Sequence, residues 1–154
     1  MSVPVDPPAA AAAPADPVRL LEITAEPLDV AAVQASVVGA ATGGICLFVG
    51  TVRDHDHGRD VAALGYSAHP TALARLREVA TDVAERFDAS AVAAVHRVGE
   101  LSVGDLAVVV AVATAHRDGA FTACRALIDE LKATVPIWKH QTFRDGDDEW
   151  VGTP

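Results

Sequence analysis

The chain has 154 residues, 51% of them hydrophobic, which is enough for one domain with a substantial core. Its net charge of −9 argues against nucleic acid and anionic membranes as main partners, because both attract clustered lysine and arginine. A small anionic ligand remains compatible with this charge, since it needs only a local positive pocket. No stretch approaches the roughly 20 apolar residues that span a bilayer, and we expect a cytoplasmic protein.

The N-terminal segment differs in composition from the rest of the chain. Residues 1–17 are rich in proline and alanine and lack the large apolar side chains that would offset the entropy cost of ordering. We therefore predict a disordered tail over 1–17 and a single domain over 18–154. Cys46 and Cys124 fit no metal-ligand spacing and lie in apolar stretches, which indicates buried, unreactive thiols.

The first half of the folded part combines short strands with two helices. We predict, in chain order, a strand over 19–25, a helix over 29–38, strands over 44–52 and 61–68 around a polar loop over 53–60, and a helix over 71–88. The run 44–52 is apolar throughout, which is typical of a strand buried on both faces. We expect it to form a hairpin with the strand that follows it. Leu73 and Leu76 begin the apolar face of the long helix.

The second half repeats this mixture of strands and helix. We predict strands over 91–98 and 106–114 joined by a turn over 99–105, a helix with Phe121, Cys124, Ile128, Leu131 and Val135 on its apolar face, and strands over 137–143 and 149–151. Pro136 ends this helix, because proline lacks an amide donor and clashes with the preceding turn. Strands follow one another directly three times, which indicates an α+β fold.

The two lysines of the chain flank that proline. Lys132 lies in the last turn of the second long helix, and Lys139 lies just beyond Pro136. A helix end followed by a returning strand is able to bring both amines to one pocket, where each lowers the proton affinity of the other. Such an amine suits attack on an activated acyl group. The spacing leaves a second interpretation open, in which Lys132 only complements the helix dipole and Lys139 lies on a solvated strand.

Other candidate sites occur at polar junctions. His116 and Arg117 stand at the start of the second long helix, where backbone amides and a guanidinium favour an anion, although a helix start needs such partners in any case. Arg53 leaves an apolar strand at its polar end and is a candidate anion contact. The pair at positions 96 and 97 lies in a strand, at an edge or an interface.

Four segments in this order resemble the large, catalytic subunit of molybdopterin synthase, the MoaE family. They are GGICLFVGTVRDHDHG (43–58), VHRVGELSVGD (95–105), TAHRDGAF (114–121) and LKATVPIWKH (131–140). The match spans about 18–151, nearly the whole folded part. The chain departs from the usual family pattern at Ser67 and at His140 and Gln141.

The resemblance implies an α+β, hammerhead-like fold with a mostly antiparallel sheet and two long amphipathic helices. It also implies a homodimer at the centre of a heterotetramer, with a small ubiquitin-like sulfur-carrier subunit at each end. The carrier ends in a thiocarboxylate and gives two sulfurs to cyclic pyranopterin monophosphate, forming the dithiolene of molybdopterin. No metal or organic cofactor is implied for this step.

The family motifs also imply roles for individual residues. Lys132 and Lys139 correspond to the catalytic amines near the thiocarboxylate. Arg53, His116 and Arg117 correspond to residues that bind the pterin phosphate, with groups contributed across the dimer. The pocket for the carrier's tail is implied to be lined by Phe48 and Ile128.

Two other functions stay open from the residues alone. A non-catalytic module would use the same cations only to hold a phosphorylated ligand or a partner's C-terminal tail. A metal-dependent hydrolase would use the four alternating acids and imidazoles of the loop, Asp54, His55, Asp56 and His57, as ligands.

Overall fold

The structure, a computed structural model, describes residues 16–152, which form nine strands and three α-helices. The elements are β1 Val18–Thr24, α1 Val30–Ser36, β2 Gly44–Thr51, β3 His55–Asp56, β4 Arg59–Ala68, α2 Ala72–Arg86, β5 Ala91–Arg97, β6 Gly99–Leu101, β7 Leu106–Thr114, α3 Arg117–Thr134, β8 Ile137–Phe143 and β9 Asp148–Gly152. Most of the predicted tail lies outside the described residues. Of its last two residues, Pro17 accepts a backbone hydrogen bond from Val92.

A four-stranded sheet in the order β1-β5-β7-β2 forms the centre of the molecule. Its strands pair antiparallel except for β1 and β5. The central strands β5 and β7 consist almost entirely of valine and alanine, whose alternate side chains point to opposite faces. Helices α2 and α3 cover one face and α1 covers the other, so apolar cores lie on both sides of the sheet.

The second sheet follows the order β3-β4-β8-β9, and β6 adds to β4. Its small core consists of six buried residues: Val52, Val61, Leu64, Leu101, Ala107 and Phe143. The antiparallel register of β4 and β8 sets Tyr66 opposite Lys139. This α+β arrangement of mostly antiparallel strands and two long amphipathic helices confirms the predicted fold class.

The predicted hairpin between 44–52 and 61–68 is wrong. β2 pairs with β7 in the first sheet, whereas β4 belongs to the second sheet. The tight hairpin joins β3 to β4 instead, where His57 (φ 50°) and Gly58 (φ 77°) form a two-residue turn with both φ angles positive.

The prediction that 44–52 is buried on both faces is only partly confirmed. β2 is an edge strand and is mostly half-buried, with Phe48 38% exposed. Its apolar composition arises because Cys46 packs toward the core under α2 and α3, while Ile45 and Leu47 pack toward the opposite core. An edge strand that contributes to both cores has the same pattern of side chains as a central strand.

Smaller differences concern the helices and one turn. Leu73 and Phe121, predicted on buried helix faces, are 47% and 65% exposed. Small residues take the positions against the sheet instead, as Ala72 and Ala120 do. The predicted turn over 99–105 contains β6, which pairs with β4.

The two cysteines, distant in sequence, meet between β2 and α3. Cys124 is buried, Cys46 is half-buried, and both are free thiols. Burial, reinforced by a hydrogen bond with Cys46, raises the pKa of Cys124 to about 12. Since the thiolate is the reactive form, this shift supports the prediction of an unreactive thiol at Cys124.

His96 is a buried titratable residue on β5, with 2% of its surface exposed. Its Nδ1 donates a hydrogen bond of 2.7 Å to the carbonyl of Arg97, and its ring meets the edge of Tyr66 at a centroid distance of 4.9 Å. Burial, against the opposing effect of the Arg97 hydrogen bond and with a smaller contribution from the charge of Lys132, lowers the pKa of His96 to about 4. The imidazole is therefore neutral at physiological pH.

This shift predicts a specific loss of stability in acid. The pKa of His96 is lower in the folded than in the unfolded chain, so the unfolded chain binds more protons between about pH 6.5 and pH 4. The contribution of His96 to the free energy of unfolding should fall by about 2 kcal/mol from pH 7 to pH 5. His96→Gln should lose that part of the pH dependence in urea denaturation. His69→Gln, which removes an exposed imidazole, is the control, and equal slopes for wild type and His96→Gln would contradict the assignment.

Candidate active site

Lys132 and Lys139 line one cavity of about 260 Å³ between the end of α3 and strands β8 and β9. Tyr66 and His96 add two polar rings to its wall. The remaining lining residues are aliphatic or glycine: Leu131, Val135, Ile137, Val151 and Gly152. Among the residues that the structure describes, the lining of this cavity therefore contains two amines and no carboxylate.

The cavity exists because the chain changes direction sharply after α3. The amide of Val135 makes the last helical bond, of 3.0 Å to the carbonyl of Leu131, and Pro136 follows without an amide hydrogen to donate. The Pro136 carbonyl accepts a 3.0 Å bond from His69, which ties the break to the end of β4. β8 begins at the next residue, so the sequence places the two lysines on either side of a fixed corner.

The electrostatics of the cavity favour a reactive amine. Burial around the amine of Lys132 lowers its pKa below the usual 10.5, and the positive charge of Lys139 lowers it further. Lys132 as a whole residue is exposed, so the desolvation of its amine is only partial. A lowered pKa increases the fraction of neutral amine, the form that acts as a base or nucleophile.

Two neutral hydrogen-bonding groups stand beside the amines. Burial raises the pKa of Tyr66, so its phenol keeps its proton and is able to donate. His96 donates through Nδ1 to Arg97, which leaves Nε2 as an acceptor. Sequence reasoning did not assign either residue to the site, because both reach it through pairing between strands distant in the chain. The register that sets Tyr66 opposite Lys139 was the missing information.

Arg53 lies outside the lining of this cavity but is linked to its strands. Its guanidinium donates a 2.9 Å bond to Asp56 Oδ1 and stays 68% exposed. Asp56 in turn accepts a 2.7 Å bond from Gln141 on β8, the strand that carries Lys139. Arg53 thus has a partly fixed position and an accessible face.

His116 and Arg117 line a different cleft, of about 430 Å³, at the start of α3. The first turn of the helix and Gly43 complete this cleft. From Arg117 to Lys132 the helix advances about 22 Å, at about 1.5 Å per residue. Within one chain, the two groups therefore line separate clefts toward opposite ends of α3.

Phe48 and Ile128 are likewise outside the lysine cavity. Phe48 lies on the edge strand β2, and Ile128 is 8% exposed and packs in the core between the sheet and its two long helices. Ile128 precedes Lys132 by one helical turn and so supports the helix from the core side. Their contact with a partner's tail stays a prediction.

The loop over 53–60 has no geometry for a metal centre. Asp54 bonds His55 at 2.8 Å, whereas Asp56 turns inward to Gln141. Nowhere in residues 16–152 do three or more histidine, cysteine or acidic side chains converge as metal ligands. No helix in this part of the chain is long and apolar enough to cross a membrane.

Comparison with known proteins identifies the family. The family model described as MoaE protein matches residues 23–134. The molybdopterin synthase catalytic subunit 1 of Mycobacterium tuberculosis is 44% identical over 131 residues, covering 84% of this chain and 88% of that protein.

Two solved structures share the fold. The molybdopterin synthase structure from Staphylococcus aureus superposes with a TM-score of 0.79 at 31% identity, covering 85% of this chain and 96% of that one. A complex of subunits 1 and 2 of the molybdopterin-converting factor from Helicobacter pylori superposes with a TM-score of 0.65 at 20% identity, covering 86% and 89%. Together with the matched family model, these likenesses show that the chain belongs to the MoaE family of molybdopterin synthase catalytic subunits.

Proposed function

We propose that this chain transfers two sulfurs, one after the other, from a thiocarboxylated small carrier subunit to cyclic pyranopterin monophosphate, forming the dithiolene of molybdopterin. In each transfer the carrier's acyl carbon loses its bond to sulfur and gains one to oxygen, ending as a carboxylate. Each pterin side-chain carbon that gains a bond to sulfur loses a bond to oxygen, which leaves protonated, and water supplies the oxygen of the carrier's carboxylate. The single observation that carries this proposal is the meeting of Lys132 and Lys139 in one cavity.

The cavity suits the carrier's tail better than the whole pterin. Its volume of about 260 Å³ is below the roughly 300–1,000 Å³ of ordinary small-molecule pockets, but the narrow end of a peptide chain fits such a space. The two amines offer charge to the thiocarboxylate anion, and the neutral form of Lys132 is able to exchange a proton or attack the acyl carbon. Tyr66 and His96 offer one donor and one acceptor to the backbone of the tail.

The pterin phosphate requires cations that one chain does not place near the lysines. His116 and Arg117 lie about 22 Å along α3 from Lys132, at about 1.5 Å per residue. We therefore infer that a second copy of the chain supplies these two residues to each active site, while Arg53 comes from the same chain as the lysines. A central homodimer with a carrier subunit at each end accounts for this division, and the Helicobacter pylori complex of two subunits is a precedent for the carrier.

The conditions of the reaction follow from the same residues. We propose that no metal or organic cofactor takes part, because the two amines and the arginines supply the positive charge that a metal would provide. We also propose a cytoplasmic location, in keeping with a free thiol at each cysteine and with a biosynthetic role.

The amine role of Lys132 is tested by substitution in a reconstituted reaction. Lys132→Ala should lower dithiolene formation at least about 100-fold, the lower range for loss of a general acid–base group, with binding to the carrier unchanged. Lys132→Arg should be equally inactive, because a guanidinium keeps the charge but does not lose its proton. Product is measured with purified thiocarboxylated carrier and precursor, and carrier binding by calorimetry.

Arg125→Ala is the matched control. It removes a cation from the same helix, and the Arg125 side chain is 84% exposed. This variant should keep full turnover. Wild-type rates in Lys132→Ala would show that Lys132 takes no part in the chemistry, and activity in Lys132→Arg would restrict Lys132 to holding an anion.

The shared active site is tested by mixing inactive subunits. A dimer of one Lys132→Ala chain and one Arg117→Ala chain should recover about half of wild-type activity, because one of its two shared sites then carries neither change. A dimer of wild type with a doubly substituted chain should be inactive, since each site then has one defect. If each site lay within one chain, these two results would be exchanged. Differently tagged chains, purified as mixed dimers, allow both measurements.

A further inference from the structure

Asp56 is a buried carboxylate outside the lysine cavity, and its two oxygens have separate partners. Only 6% of its surface is exposed, and Gln141, itself 2% exposed, donates through Nε2 to Asp56 Oδ2 at 2.7 Å. Burial of a carboxylate is unfavourable unless hydrogen bonds and nearby cations compensate for the lost water. The Gln141 amide supplies one such bond and fixes the orientation of the carboxylate.

The other oxygen of Asp56 holds Arg53. The guanidinium Nη2 donates to Asp56 Oδ1 at 2.9 Å, and His57 Nε2 lies 3.8 Å from the same oxygen. Because Gln141 bonds to Oδ2, the carboxylate cannot rotate freely and Oδ1 keeps one orientation. Arg53 is therefore held at one nitrogen while its side chain stays 68% exposed for a ligand.

The same carboxylate is electrostatically connected to the amines. Gln141 lies two residues after Lys139 on β8, so their side chains point to the same face of the strand. The hydrogen bond from Gln141 contributes most to lowering the pKa of Asp56, and the charge of Lys139 and the bond from Arg53 add to it. Asp56 thus stays ionised between Arg53, which is predicted to bind the phosphate, and strand β8, which carries Lys139.

We propose that Asp56 is a positioning residue for sulfur transfer, whose buried carboxylate, oriented by Gln141, couples Arg53 to the strand that carries Lys139. This inference rests on the proposed function. Asp56 acts through Arg53 and does not contact the substrate. A guanidinium already held in place loses less conformational freedom when the anionic precursor binds, so the coupling should lower KM more than it raises kcat.

Relocating the carboxylate tests this coupling. Asp56→Asn should raise KM for the precursor about tenfold, the size expected for one charge-assisted hydrogen bond, with kcat changed less than about threefold. Gln141→Glu places two carboxylates at the 2.7 Å contact and should lower the melting temperature. The double variant Asp56→Asn/Gln141→Glu restores one carboxylate and one amide. Its KM should return to within about threefold of wild type, and its melting temperature to within a few degrees.

Asp54→Asn is the matched control, because it removes an exposed carboxylate two residues away on the same loop and should leave KM unchanged. The proposal is overturned if Asp56→Asn leaves KM within about twofold of wild type. It is also overturned if KM rises in Asp56→Asn but the double variant, folded as judged by its melting temperature, does not recover.

A second readout separates this proposal from the proposed function. The rotation rate of the Arg53 guanidinium is measured by NMR of protein with ¹⁵N-labelled arginine. Rotation should be slow in wild type and in the double variant, and fast in Asp56→Asn. If wild-type protein forms no dithiolene, the proposed function fails, and this rotation still decides whether Asp56 positions Arg53. Equal rotation rates in wild type and Asp56→Asn would overturn the positioning role.

Discussion

The corner at Pro136 is the constraint on which the candidate active site depends. Proline stops α3 immediately after Lys132 has been placed, and its carbonyl is tied to the end of β4 through His69. The chain then returns as β8, whose pairing with β4 fixes Lys139 opposite Tyr66. Two amines that would repel each other in a flexible segment are thus held together by a helix, a proline and a strand register. The folding energy of the two sheets compensates for that repulsion.

Charge is distributed unevenly in this acidic protein. The net charge is −9, yet the described lining of the lysine cavity holds two amines and two neutral polar rings. The buried carboxylate of Asp56 lies outside this lining and bonds Gln141 and Arg53. In the proposed function the anionic tail of the carrier meets this concentration of positive charge, and burial and the charge of Lys139 lower the pKa of Lys132 there. The proposed dimer would bring the cleft at His116 and Arg117 to the lysine cavity of a second copy, since one chain alone divides these cations between the two ends of α3.

The sequence was sufficient for features that depend on local geometry. The limits of β7 and β8 and the meeting of the two lysines follow from apolar periodicity and from a proline whose effect on a helix is fixed. Partners of β2 and β4 were predicted wrongly, because pairing between distant strands depends on the whole sheet rather than on the intervening loop. Tyr66 and His96 were missed for the same reason. The predicted helix start and the family resemblance both indicated His116 and Arg117, but only the length of α3 shows how far they lie from the lysines along one chain.

The most direct test of the account is an NMR titration of the two lysines, the only ones in the sequence. With ¹³C-labelled lysine, the Lys132 side chain should titrate below the ordinary 10.5, and Lys139→Gln should move that titration to higher pH because a neighbouring positive charge has been removed. Arg125→Gln, which removes an exposed cation elsewhere on α3, should leave it unchanged. A Lys132 titration at the ordinary value that does not respond to Lys139→Gln would mean that the amines do not share a cavity, and the assignment of the active site would be wrong.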